Sequence, residues 1–148
     1  MMCWCSDMSQ PEKAFEEKLK RWLESEGIYP LGTPKKSMTV SPCGYYEKRW
    51  GGGKYTKAGL PDMHIVVHGI SIEIELKAPN GRASELQKQK LSQIADAGCI
   101  GFIAKPSDFE NIKALVRLAK TLNVAIPHLQ DMAGLRRVEY GNKQQEST

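Results

Sequence analysis

No uninterrupted apolar stretch of this sequence approaches the ~18 residues a helix needs to cross a bilayer, so no membrane partner is expected. Paired C-x-x-C knuckles are missing as well: Cys3, Cys5, Cys43 and Cys99 are scattered in a way that does not suit a structural zinc site. The start, MMCWCSDMSQ, lacks the basic opening and long apolar segment of a secretory signal, which leads to the expectation of a cytoplasmic protein with reduced cysteines. Cys99 is then expected to pack in a strand, and Cys3 and Cys5 to lie in a loose N-terminal end. No internal repeat is found, which excludes solenoid and propeller architectures.

What is present is an ordinary globular composition: 41% apolar and 26% charged residues in 148, the size of one domain. The net charge of +4 is unevenly spread. Between Leu31 and Leu60 the basic residues Lys35, Lys36, Lys48, Arg49, Lys54 and Lys57 face Glu47 alone, a balance that suits a polyanionic partner.

The first helix is announced by Ser9 as cap, Pro11 in the first turn, Glu12 completing an S-x-x-E box and Gly27 as terminator. Phe15, Leu19, Trp22 and Leu23 form its apolar stripe. Glu16 lies at the border of that stripe, facing a cleft, and Glu17 points to water. Residues 28 to 60 carry few periodic signals: a short strand is expected at Met38 to Val40, and YYEKRWGGGKYTKAG reads as a mobile loop.

The segment PDMHIVVHGISIEIELKAP is the clearest. Two alternating runs flank Gly69, as in a hairpin. Ile70, Ile72, Ile74 and Leu76 share one face, which leaves Ser71, Glu73, Glu75 and Lys77 on the other. Burying Met63, Ile65 and Val67 beside the isoleucines sends Asp62, His64 and Val66 to the face of Glu75 and Lys77, which only a turn of even length permits. A His68-Gly69 turn sets Asp62 across from Glu75; a Gly69-Ile70 turn sets it across from Lys77. Either way the three groups cluster.

Farther on, Ser84 with Gln87 marks the start of a second helix that Gly98 ends, CIGFIA reads as a buried strand, and Ser107 with Glu110 is expected to cap a third helix. The expected order is α, a short β, β, β, α, β, α. A short helix is placed near Asp131, and GNKQQEST reads as a disordered tail.

Two carboxylates and a lysine on one face suit phosphodiester cleavage. Asp62 and Glu75 are hard oxygen ligands for Mg²⁺ or Mn²⁺, and Lys77 can orient the attacking water and offset phosphate charge. PD followed thirteen residues later by E-x-K, Pro61-Asp62 and Glu75-Leu76-Lys77 here, resembles the PD-(D/E)xK nuclease superfamily. The longer string GLPDMHIVV…IEIELKAPNGRASELQ closely resembles its VRR-NUC branch, which includes small phage-type nucleases and the Fanconi-associated nuclease domain.

That resemblance runs from roughly Glu16 to Ala104 and implies an α/β, restriction-endonuclease-like αβββαβ core with an additional C-terminal helix. It implies Asp62, Glu75 and the Leu76 carbonyl as metal ligands, Lys77 as the catalytic lysine and Gln87 as an accessory group. Glu16 resembles the first-helix glutamate of junction-resolving nucleases and becomes a further candidate ligand. Glu73 departs from the pattern, standing where an apolar residue is usual; it is either an extra carboxylate near the metal or a solvated strand residue. Gln87 is equally explained by its capping box, and His64 by an exposed strand position.

The implied protein is a phage-encoded, homodimeric endonuclease acting on branched DNA such as a Holliday junction in a bacterial cytoplasm. Its nuclease domain is expected over residues 9–122, between a flexible N-terminus and a C-terminal extension, with Lys48, Arg49, Lys54, Lys57, Arg82 and Lys88 touching nucleic acid. The alternatives are a non-catalytic nucleic-acid-binding module of a phage packaging or recombination complex, and a zinc-dependent regulator using the cysteines.

Overall fold

In the computed structural model, which describes residues 10–49, 58–122 and 127–135, the first element is helix α1 (Gln10–Ser25). Phe15, Leu19 and Leu23 recur at helical spacing and are buried, Trp22 packs beside them, and Glu17 is exposed as its angular position requires. The cap expected at Ser9 lies outside the described residues. Gly27 ends the helix at φ +87°, and a Cβ there would collide with the Ser41 carbonyl oxygen, so two constraints select glycine.

Strand β1 (Ile28–Pro30) follows, then a 3₁₀ turn (Lys35–Ser37), β2 (Gly44–Lys48), β3 (Met63–Val67) and β4 (Ile70–Leu76). Helix α2 (Glu85–Asp96) leads to β5 (Ile100–Ala104), and a second 3₁₀ turn (Pro106–Asp108) opens onto α3 (Phe109–Thr121) and the short α4 (Pro127–Met132). The five strands form one mixed sheet in chain order: β2, β3 and β4 are an antiparallel meander, while β1 and β5 add in parallel at its edges. Among the described residues no helix is long and apolar enough to cross a membrane.

Val67 faces Ile70 and Met63 faces Ile74, so the hairpin turns on His68 and Gly69, the first of the two possible registers. Both turn residues have positive φ, +46° and +81°, the mirror-image turn whose twist matches that of the strands it joins. The isoleucine face and Met63, Ile65 and Val67 are then buried together under α1 and α3, with Phe15 meeting Phe109 edge to face at 6.5 Å. Lys120 of α3 ties the two helices, its Nζ donating to the Glu26 carbonyl at 3.0 Å and carboxylate at 2.9 Å. On the opposite face α2 lies over β4 and β5, where Gly101 admits Leu91 and Ile94 closely.

Four expectations are corrected. Met38 to Val40 is not a strand, because the Thr39 and Val40 amides donate to the Tyr29 hydroxyl at 3.1 and 2.9 Å instead of to a neighbouring strand. The supposed loop beginning at Tyr45 opens with strand residues, since Gly44–Lys48 is β2; residues 50–57 lie outside the described part. Cys99 precedes β5, and β5 is not fully buried, Ile103 being 37% exposed, because this is an edge strand of the sheet. Ser107 does not cap α3: Pro106 starts a 3₁₀ turn one residue earlier, and the Asp108 carboxylate accepts the Lys105 amide at 2.8 Å. The expected short helix near Asp131 is present as α4, and the GNKQQEST tail lies outside the described residues.

The Tyr29 hydroxyl takes two amides and donates to the Val40 carbonyl at 3.1 Å, closing the long β1–β2 connection with one atom. Tyr29→Phe leaves those groups without that partner and is expected to lower stability by about 1–3 kcal/mol in urea unfolding. A change below a few tenths would show that water replaces the hydroxyl without loss.

Candidate active site

The site residues gather at the end of the sheet where β2 and β4 finish and β3 starts. Continuing the hairpin register by one pair sets Asp62 opposite Glu75. Asp62 is anchored there, its Oδ2 accepting the Leu76 amide at 2.9 Å. Glu75 is 1% exposed, and its Oε1 forms an ion pair with Lys77 Nζ at 3.0 Å and accepts from Gln87 Nε2 at 2.6 Å. Gln87 therefore both caps α2 and contacts Glu75. Its Oε1 accepts the Ser84 amide and its backbone amide donates to the Ser84 hydroxyl, completing the capping box, while its side-chain nitrogen holds Glu75.

Burial and the neighbouring Asp62 carboxylate push the Glu75 carboxyl up to about 7, against the opposing pull of Lys77. Glu75 Oε2 is buried with no hydrogen-bond donor. Glu16 is brought to the same place from α1 and is 4% exposed. Its Oε1 stands 3.3 Å from Lys20 Nζ and 3.4 Å from Lys48 Nζ; both are ion-pair distances, yet neither contact has hydrogen-bond geometry. Lys48 Nζ also lies 3.5 Å from Asp62 Oδ1.

Glu12, one turn before Glu16, is a site neighbour that the sequence presents only as a capping residue. Partial burial raises its carboxyl above the ordinary value, and Lys77, Asp62, Lys48 and Glu16 all act on it electrostatically. The signal that could have found it is its i, i+4 relation to Glu16, which puts both on one stripe of α1.

The basic residues divide. Lys48 and Arg49, expected to face nucleic acid, are engaged by carboxylates: Lys48 as above, and Arg49 in a two-point pair with Glu73, Nη2 to Oε1 at 3.0 Å. Glu73 is thus neither solvated nor part of the Asp62–Glu75 group, but a buried carboxylate matched by Arg49, with His64 Nε2 at 3.7 Å. His64 in turn contacts the Ser71 hydroxyl at 3.2 Å. Arg82 and Lys88 are exposed beside the start of α2, Lys88 pairing with Glu85; Lys54 and Lys57 lie outside the described residues. An open groove of about 530 Å³ lies beside Lys48 at the β1–β2 edge, lined by Lys20, Pro30, Tyr46, Glu47, Lys48 and Arg49 among others and not by Asp62, Glu75 or Lys77.

Among the described residues no three metal-binding side chains converge into a complete cage. Mg²⁺ does not need one, since it takes one or two carboxylates and keeps several waters. Two hard oxygens without hydrogen-bond donors, Glu75 Oε2 and Glu16 Oε1, in a buried group of acids, fit such a cation. A scan against protein-family models and searches of curated proteins and of solved structures find no match, so this geometry alone bears on function.

Glu75 also has a consequence for stability. Its folded pKa lies above its unfolded value, so the native protein holds more protons between about 4.5 and about 7, and the ionised group costs stability above that window. The cost fades as pH falls. Without divalent cations, Glu75→Gln is expected to stabilise the protein at pH ~8 by up to roughly 3 kcal/mol, at ~1.4 kcal/mol for each tenfold change in proton affinity, with the gain vanishing near pH ~4.5. Urea unfolding in EDTA at several pH values checks this; a loss at every pH would mean that the Lys77 and Gln87 contacts outweigh the burial.

Proposed function

We propose that the chain is a divalent-metal-dependent endodeoxyribonuclease that hydrolyses phosphodiester bonds. The observation carrying this is the meeting of Asp62, Glu75 and Lys77 at one end of the sheet, from positions the hairpin register dictates. Asp62 and Glu75, with Glu16 and the Leu76 carbonyl as further candidates, would hold Mg²⁺ or Mn²⁺. The cation would supply charge compensation for the phosphoryl oxygens and favour ionisation of the attacking water.

The chain's own groups do the rest. Lys77 Nζ, fixed by Glu75 at 3.0 Å, can donate to an attacking water or to a phosphoryl oxygen, offsetting charge as the bond to phosphorus forms. Gln87 holds the Glu75 carboxylate in one orientation from α2, and the Leu76 amide does the same for Asp62. Positioning of this kind is worth more than the weak hydrogen bonds that achieve it, because catalysis falls steeply with small displacements.

The order α1, β1, β2, β3, β4, α2, β5 contains α1, a three-strand meander, α2 and a parallel strand, with the three-residue β1 added in parallel at the other edge, and this supports assigning the αβββαβ restriction-endonuclease-like core and its VRR-NUC branch. Branched DNA such as a Holliday junction is the substrate proposed, cut by a homodimer whose two-fold axis sets one site on each strand. A phage-encoded enzyme working in a bacterial cytoplasm completes the proposal.

Incubation with branched, flapped and linear DNA should give cleavage in Mg²⁺ or Mn²⁺ and none in EDTA. Asp62→Ala and Lys77→Ala should each lower the rate by about 10²-fold or more while DNA binding persists. Binding without cleavage in any metal would overturn the enzymatic reading in favour of a binding module.

A further inference from the structure

Lys48 is the last residue of β2, paired with Met63 next to Asp62, and its side chain is 8% exposed. A lysine withdrawn this far from water keeps its charge only where anions repay the lost hydration. Its Nζ has Glu16 at 3.4 Å and Asp62 at 3.5 Å, so one monovalent ammonium sits between a carboxylate from α1 and one from the head of β3. These are two of the three acids proposed above as ligands; the third, Glu75, has Lys77 at 3.0 Å.

We infer that Lys48 is a built-in cation that stands in for the divalent ion: it holds Glu16 and Asp62 together before the metal arrives and yields its place when the metal binds. The inference rests on the metal-dependent reading. An ammonium and a divalent cation repel strongly in a site shielded from water, and they compete for the same oxygens. The four-carbon stem lets the ammonium move without the backbone. The groove lined by Lys20, Lys48 and Arg49 is the open space beside it, and a phosphate lying there would receive the displaced charge. Metal and DNA should therefore each strengthen the binding of the other, since the substrate stabilises the arrangement in which Lys48 has left the acids.

Lys48 is a positioning residue in this scheme, and its test is metal affinity. Mn²⁺ binding to the full chain without DNA would be measured by calorimetry for the wild type, Lys48→Met, Lys48→Gln and Lys48→Arg, with thermal unfolding in parallel. Both neutral variants should unfold earlier than the wild type in EDTA yet bind Mn²⁺ roughly tenfold more tightly, the worth of removing one close like charge from a partly screened site. Their Mn²⁺-induced rise in Tm should be correspondingly larger, and Lys48→Arg should stay near the wild type. A role confined to stability would lower Tm without tightening Mn²⁺. If the wild type binds Mn²⁺ and neither folded neutral variant binds it more tightly, the inference is overturned alone. A wild type that takes up no Mn²⁺ overturns it together with the metal-dependent reading. Lys48→Gln, which keeps a polar end among the acids, carries the comparison should Lys48→Met not fold.

Discussion

A two-residue turn governs this molecule. His68 and Gly69 both adopt positive φ, and the β3–β4 ladder that follows carries one register as far as Met63 and Ile74. One residue more or fewer in that turn would exchange the faces of one strand against the other. Asp62 would then lie across from an isoleucine or leucine position, and Met63, Ile65 and Val67 would lose the layer formed with Ile72, Ile74 and Leu76. Core and site are thus specified by the same parity: the hydrophobic energy that selects the register also brings two like charges together, at a cost far smaller than exposing six apolar side chains would be.

The site is built from both sides of the sheet. Glu12, Glu16 and Lys20 come from α1 over the core face, and Gln87 comes from α2 over the opposite one. They meet only because the strands end there, so that side chains from either layer can reach round the rim. Farther along the face that carries Glu75, Glu73 shows how a buried carboxylate is treated when a full counter-ion is at hand: Arg49 matches both of its oxygens. Glu75 is treated differently. It has one ammonium and one amide, both on a single oxygen, and an acid as its other neighbour. Of two glutamates one pleat apart, then, Glu73 has both oxygens matched while Glu75 keeps one buried oxygen without a hydrogen-bond donor.

How much of this was legible in the sequence follows from which interactions are local. Strands β3 and β4 alternate strictly, and the Ser84–Gln87 box is a four-residue signal, so the hairpin, its even turn parity and the start of α2 could be read directly, while the alternation left two registers open and the backbone turn at His68 and Gly69 chose between them. β1 and β2 could not. β1 is three residues ending in proline, and its connection to β2 is held by the Tyr29 hydroxyl, a contact between residues ten and eleven positions apart that leaves no periodic trace. In β2 the alternation is hidden because Lys48 follows Tyr46 on the side where α1 lies, so a charge appears where an apolar residue would announce a strand. The basic count of that segment was correct, but what the charges touch depends on Glu16 and Glu73, which are remote in sequence.

Hence the same fact explains the missed strand and the chemistry of the site. A lysine at the buried end of β2 is unreadable as part of a strand because nothing nearby in the chain justifies burying it. What justifies it is the pair of carboxylates supplied by α1 and β3. Several acids and fewer ammoniums packed together at the rim leave a deficit of positive charge that the folded chain does not make good with its own groups. If the proposed reading holds, a divalent cation together with a phosphodiester would correct that deficit nearly in full, where either alone would leave it over- or under-compensated. On the nuclease reading proposed above, the balance of charge at the rim, and not any single carboxylate, would favour an anionic, metal-bridged substrate over a neutral one.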